Sequence, residues 1–338
     1  MLVSLTEEKT YKMLVEKMDA GESFIGEDIL LEFTNYELLH GILTCSLPIS
    51  LLFPAFLRKR KTELCYKLAL AEAALDTDGE YLRKSSRISY LDSAEKSMIS
   101  YYLGNFFTFL ITRKLFDTEY LLHLNYMRDG QGNACDSAGK KKRQELIGYQ
   151  KEQDAWSIWE AKGRSNNMKE AMEKGCSQAG EIGNVNGKSP VLKAVCMTYY
   201  ERGYLNAKIQ KESRQGDIGL DFSKEAYIRE YYRSIRELFL EYYNCENMRD
   251  LRLCGIDFVE LLLPVPYFLE GQSLQETERC ICIGMPRNFI EREESPFWIQ
   301  EHLEELKKEL GESSYLGRDG IYVRKALDKK NELWPGEA

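Results

Sequence analysis

The chain predicts a mixed α/β fold, with a central α/β core set between mainly helical regions. Three observations point there: helix-spaced apolar positions behind a capping pair at Asp92 and Glu95, strand-like segments around Glu145 and Trp156, and a further helix followed by the apolar run Val191–Tyr199. Helix, strand, strand, strand, helix, strand in that order is a compact α/β unit. With 338 residues, 43% of them hydrophobic, the chain can bury a substantial core. The expected organisation is an N-terminal helical region over residues 1–90, the α/β core over 91–222 and a mostly helical C-terminal region over 223–338.

From Thr6 to about Tyr90 the pattern is charge-rich and mostly helical, broken at Gly21, Pro48 and Pro54 and by the turn Asp76-Thr77-Asp78-Gly79. After the Asp92–Glu95 pair, Met98, Ile99, Tyr102, Leu103, Phe106 and Leu110 recur at helical spacing, so a helix should pack on the sheet that follows. Glu119–Tyr126 alternates as a first strand, and Met127–Lys142 is a polar, glycine-bearing loop. Arg143–Gly148 and Trp156–Arg164 are the second and third strands, joined by a polar turn. Met168, Ala171, Met172, Gly175, Ala179 and Ile182 form the apolar stripe of a second helix closed by Gly183, and Val191–Tyr199 is a buried strand. Gly183–Ser189 resembles a phosphate-binding loop only superficially. Its first glycine would fall on Ile182, and it runs from helix to strand, the reverse of the order that aims backbone N–H groups at phosphate; it is a turn.

Beyond Gly216 the pattern predicts a helix from about Ser223 to Tyr243 and an apolar run at Phe258–Phe268. A short strand at Cys280–Gly284, an acidic helix from about Ile299 to Leu310 and a terminal strand at Tyr315–Lys325 follow. There is no internal repeat.

Composition excludes several classes. A net charge of −8 speaks against a protein that coats nucleic acid non-selectively, because such binding neutralises many phosphates. Nine scattered cysteines without a C-x-x-C pair predict reduced thiols in a cytoplasmic protein and give no zinc ligand set. The N-terminal residues are too acidic and too briefly apolar for a secretory signal. Gly41–Leu57 is uncharged and is followed by Arg58-Lys59-Arg60-Lys61, but Pro48 and Pro54 predict two short buried segments there, with no membrane span.

The chemistry-bearing pattern is Glu145 on the second strand and Glu160-Ala161-Lys162 on the third. Strand alternation puts Glu160 and Lys162 on one face, roughly 7 Å apart. Two carboxylates and a lysine at one spot suit metal-assisted phosphodiester cleavage, since Mg²⁺ prefers hard oxygen ligands and needs no histidine. Only three histidines occur in the chain.

These residues, on these elements, resemble the PD-(D/E)XK superfamily of restriction-endonuclease-like nucleases over roughly residues 92–200. The resemblance implies a restriction-endonuclease-like core in which Glu145 and Glu160 hold Mg²⁺ or Mn²⁺. The Ala161 backbone carbonyl would supply a further ligand, and Lys162 would orient or help deprotonate the attacking water. It also implies a supporting polar group on the following helix, matched by Gln178 or by Lys174 one turn earlier. The chain departs from the superfamily at Gln144-Glu145, where Pro-Asp is usual; the extra methylene moves the carboxylate by more than about an ångström, which in-line chemistry feels. The segments Ser93–Lys96, Leu121–Leu124 and Glu160–Ser165 also resemble a group of bacterial proteins sharing an Glu-Ala-Lys-Gly-Arg-Ser run, which supports the fold more than the reaction.

Other candidates carry less. Glu95 fits a capping box better than a third metal ligand, and His123 fits a hydrogen-bonded core imidazole. Arg164, Ser165 and the basic run Lys140–Arg143 could contact phosphate or be solvated turns. The tyrosine-rich stretches at Tyr199, Tyr200 and Tyr204, at Tyr227, Tyr231 and Tyr232, and at Tyr242 and Tyr243 fit core and interface packing better than base stacking. The expected function is therefore a cytoplasmic, Mg²⁺- or Mn²⁺-dependent nuclease acting on nucleic acid, DNA ahead of RNA, in a bacterial defence setting. The alternatives are an inactive nuclease-like module that binds nucleic acid or a protein partner, and a structural assembly protein; a homo-oligomer remains open in each.

Overall fold

A computed structural model describes residues 8–18, 28–45, 60–124, 145–164, 168–242, 245–265, 279–291 and 296–326. The architecture is mixed α/β. The expected core elements form in the expected order: α3 (Ser93–Phe116), β5 (Tyr120–His123), β6 (Glu145–Gln150), β7 (Ala155–Arg164), α4 (Met168–Ala179) and β9 (Leu192–Glu201). The Asp92 side chain accepts from Glu95 N at 2.8 Å and Glu95 Oε2 accepts from Asp92 N at 3.1 Å, so both halves of the capping box are in place. The helix α4 stops at Ala179, short of the closure expected at Gly183, and Ile182–Val185 is instead the short strand β8, which pairs with β11 (Ile218–Leu220); of the turn expected at Gly183–Ser189 only the part after β8 forms one, with Asn186 and Gly187 at positive φ.

These strands belong to a nine-stranded sheet that reaches beyond the expected core. β5, β6 and β7 run antiparallel, β7 pairs in parallel with β9 across the α4 crossover, and β9 forms a hairpin with β10 (Tyr204–Lys211). β10 then pairs in parallel with β1 (Thr10–Met18), which pairs with β2 (Ile29–Thr34). The hairpin of β3 (Leu75–Asp78) and β4 (Tyr81–Lys84) abuts β1 and β10 through one residue pair each.

The N-terminal segment is thus not the helical region expected. Its described residues supply α1 (Asn35–Thr44) and α2 (Arg60–Ala74), but also four strands. Tyr11, Met13 and Val15 are buried while Lys12 and Glu16 are only part-buried, a two-residue alternation that the charged positions make easy to mistake for a solvated helix.

The C-terminal segment departs in the same way. It begins with the expected helix, α5 (Lys224–Glu241), capped by Ser223, but then builds a five-stranded antiparallel sheet. Its order is β12 (Met248–Leu253), β13 (Ile256–Val265), β14 (Arg279–Pro286), β16 (Tyr322–Lys325) and β15 (Ser314–Leu316). The expected terminal strand is a hairpin, folded at Gly317–Gly320. The expected acidic helix is a 3₁₀ turn at Pro296–His302 running into α7 (Leu303–Leu310), and α6 (Arg287–Glu291) caps β14. One face of this sheet, through Leu261, Leu263, Ile281, Ile283 and Val323, is continuous with the main core; the other packs Phe258 and Tyr322 against Leu303 and Leu306 of α7. Residues 46–57 of the apolar Gly41–Leu57 stretch lie outside the described residues, and no described helix is long and apolar enough to cross a membrane.

The helix α3 lies on the main sheet at contact distance from β7, and two glycines make that possible. A Cβ on Gly104 would stand 2.7 Å from Gly163 N, and one on Gly163 would stand 1.7 Å from Ser100 O. Neither backbone can yield without moving the helix. Gly163→Ala should therefore lower the unfolding free energy by roughly 2–4 kcal/mol and Gly104→Ala by less, read from the midpoint of urea unfolding at constant m; equal midpoints for wild type and Gly163→Ala would show that the crossing is not tight.

Candidate active site

β7 lies near the middle of the main sheet, and nine of its ten residues are buried. Its apolar and aromatic positions favour a strand covered on both faces. Trp159 packs edge-on against Phe116 at a 4.8 Å centroid separation, on the side that α3 covers. On the opposite side, Glu160 stands beside Val195 and Lys162 beside Met197 in β9, under the α4 residues Ala171, Met172 and Cys176. A strand buried on both faces must satisfy its polar side chains locally, and here two of them neighbour each other.

The Glu160 carboxylate is 0% exposed. Its Oε1 accepts from the Lys162 ammonium in a short contact, and Lys162 Nζ also donates to Gln178 Oε1 at 2.7 Å. Gln178 sits on the last turn of α4, so the helix after the strand delivers the third member of the cluster. The other oxygen, Glu160 Oε2, is buried without a hydrogen-bond partner among the described residues. Burial pushes the Glu160 pKa up to about 7, against the opposing pull of Lys162.

Across the hairpin, position 145 of β6 is directly opposite Glu160. Residues directly opposed in an antiparallel pair project from the same face, so the backbone places both acidic positions on the Lys162 side of the sheet. The Glu145 side chain itself lies outside the described residues. Ala161 alternates to the α3 side, where its methyl joins the main core, so only its backbone is available to a ligand. Lys174 is exposed on α4, and Gln178, not Lys174, meets Lys162.

The remaining candidates separate from this cluster. Glu95 is engaged in the helix cap. His123 pairs with Leu146, which pairs with Trp159, so it stands on the α3 side; burial pushes its pKa down to about 4. Arg164 is exposed and donates to Gly163 O at 2.8 Å, while Ser165 and Lys140–Arg143 lie outside the described residues. The tyrosines are structural. Tyr199 bonds to Glu16, Tyr204 donates to Asp78 Oδ2 at 2.8 Å, and Tyr227, Tyr231 and Tyr232 are buried around Tyr120 and Trp156. Tyr242 is buried, and Tyr243 lies outside the described residues.

Among the described residues, no three His, Cys, Asp or Glu side chains converge as a metal cage. The cluster therefore offers a divalent cation one described carboxylate, a second acidic position across the hairpin, and backbone oxygen. That is the sparse protein ligation Mg²⁺ accepts when water and substrate phosphate complete the shell. No family model, curated protein or solved structure matches the chain.

A buried ionic cluster that sequence spacing did not disclose lies elsewhere, where Arg113 meets His40, Tyr231 and Asp319. Four residues so far apart along the chain carry no shared local signal.

The elevated Glu160 pKa has a consequence for stability. The folded protein holds this proton more tightly than the unfolded chain, so the contribution is full below about pH 4.5 and is lost as pH rises through about 7. Glu160→Gln should flatten the stability profile between those limits by on the order of 3 kcal/mol, measured as urea midpoints across pH. A profile unchanged by the substitution would place the proton on another group.

Proposed function

We propose that the chain is a metal-dependent nuclease that hydrolyses nucleic-acid phosphodiester bonds, built on a restriction-endonuclease-like core of the PD-(D/E)XK type. The observation that carries this is the register of the β6–β7 hairpin, which sets Glu145 opposite Glu160 with Lys162 two residues further along the same face. The helix α3 before the hairpin and the crossover helix α4 after it, with Gln178 reaching back to Lys162, support the same assignment.

The residues fit a divalent cation. Glu160 Oε2 is a buried carboxylate oxygen without a partner among the described residues, and a desolvated carboxylate gains most from a full positive charge. Glu145, Glu160 and the Ala161 carbonyl would hold Mg²⁺ or Mn²⁺, which when bound offsets phosphate charge and makes a coordinated water more acidic. Lys162 supplies a fixed ammonium beside the scissile phosphate, where it balances developing charge and orients the attacking water. Gln178 holds that ammonium by accepting a hydrogen bond from it, which limits its rotation at no cost in charge. The substrate class is nucleic acid, DNA ahead of RNA, in the cytoplasm, in a setting such as bacterial defence.

A non-catalytic module has one observation in its favour. Glu160 is sealed from solvent and its Oε1 is held by Lys162, so the same cluster could serve as a buried pair in a scaffold that binds nucleic acid or a protein partner. Calorimetry with Mn²⁺ separates the two: binding that Glu145→Ala removes favours the nuclease, and absence of binding favours the module.

Glu160→Gln and Lys162→Met should each reduce Mg²⁺-dependent cleavage of single- and double-stranded DNA and RNA by at least about a hundredfold, while far-UV circular dichroism stays as in wild type. Equal cleavage by wild type and both variants removes the mechanism.

A further inference from the structure

The His40 imidazole is wholly buried where α1, α3, α5 and the β15–β16 turn meet. Arg113 Nη1 lies 2.6 Å from its Nδ1, and Asp319 Oδ1 lies 3.0 Å from its Nε2. A guanidinium can only donate, so Nδ1 is the acceptor and the ring proton sits on Nε2, donated to Asp319. His40 is therefore neutral and locked in one tautomer. Arg113 Nη2 also donates to Thr44 Oγ1 at 2.7 Å and to the Tyr231 hydroxyl at 2.6 Å, and that hydroxyl donates to Asp319 Oδ2 at 2.6 Å. Tyr232 donates to the Asp319 carbonyl at 2.5 Å, Ile321 N donates to Asp319 Oδ1 at 3.2 Å, and the Tyr315 ring stands edge-on to His40 at 5.1 Å. Every element packed on the imidazole is thus tied to it through Arg113 or Asp319.

We propose that this cluster is an acid-sensitive latch, which holds the β15–β16 hairpin against α1, α3 and α5 while His40 is neutral and releases it when His40 is protonated. A proton on Nδ1 sets two donors, both on cations, at hydrogen-bond distance. Arg113 must withdraw, and with it go its bonds to Thr44 and Tyr231. A cleft of about 220 Å³, bordered by Glu37, Lys114 and Arg318, reaches Arg113 and Asp319. Neither of these contacts involves the Glu160–Lys162 cluster, so the latch stands whether or not the chain is a nuclease.

The sign follows from linkage. Burial pushes the His40 pKa down, with Arg113 adding to it, against Asp319 and the Ile321 backbone. The latched form loses stability as pH falls below the ordinary histidine value of about 6.5, and the released form gains up to about tenfold per pH unit until the latched imidazole itself titrates. Arg113 stays charged and Tyr231, Tyr232 and Tyr315 stay neutral throughout, since burial raises each tyrosine pKa. Asp319, held below its ordinary value, contributes only at lower pH.

Hydrogen exchange of the full chain, followed by mass spectrometry over residues 314–325 and corrected for intrinsic rates, tests this. Between pH 7.5 and 5.0 protection of the hairpin should fall by up to about thirtyfold in wild type and stay constant in His40→Gln, whose amide can donate to Asp319 and accept from Arg113 but cannot titrate. Constant protection in wild type, or the same loss in the variant, overturns the latch. Should His40→Gln not fold, nitrogen NMR of wild type decides: an Nε2–H tautomer at pH 7.5 that becomes imidazolium as the hairpin opens supports it, and an Nδ1–H tautomer or an imidazolium at pH 7.5 sinks it.

Discussion

The desolvation of β7 governs the rest of this structure. A strand buried on both faces carries Glu160 and Lys162 out of water, and neither charge could remain there alone, because a lone buried charge costs several kcal/mol. They are tolerated because they neighbour one another and because α4 presents Gln178 to the ammonium. The same strand needs backbone-close cover on its other face, and the Gly104–Gly163 crossing gives α3 that approach. Helix packing, strand burial and the candidate chemistry are one arrangement seen from three sides.

Comparison with the buried carboxylates of Asp319 and Glu260 isolates what is unusual about Glu160. Asp319 accepts from His40 and Ile321 N through one oxygen and from Tyr231 through the other. Glu260 accepts from Arg249 and Arg324 through Oε1 and from Tyr322 and Arg324 through Oε2. Both carboxylates are fully partnered, as structural ion networks require. Glu160 has one oxygen engaged and one without a partner among the described residues. That difference is what supports the cation site we propose for this cluster.

The two sheets meet through α5 and the helices above it, with a single main core running from the Tyr120–Trp156–Tyr227 aromatics to Ile281 and Val323. The C-terminal hairpin is held there by polar contacts at Asp319 as well as by apolar packing. A buried polar cluster of this kind sets geometry more than stability, since a well-packed apolar replacement of similar volume is often at least as stable. In the latch we propose, it also makes the seating of the β15–β16 hairpin responsive to proton activity, which purely apolar packing cannot be.

Local chemistry along the chain was enough to specify the central elements. The Asp92–Glu95 pair closes the capping box of α3, and the aromatic and apolar positions of Trp156–Lys162 form the buried strand. Alternation alone puts Glu160 and Lys162 on one face, because these features depend on contacts between residues a few positions apart. The outer strands were not legible. In β1 and β12 charged residues break up the apolar pattern, and β1 is decided by its parallel pairing with β10, far away in sequence, β12 by its hairpin with β13 around Cys254 and Gly255 at positive φ. Tertiary structure also decided which α4 residue reaches Lys162, selecting Gln178 over Lys174. It alone assembled His40, Arg113, Tyr231 and Asp319, since no rule of spacing links side chains that meet only when three helices and a hairpin converge.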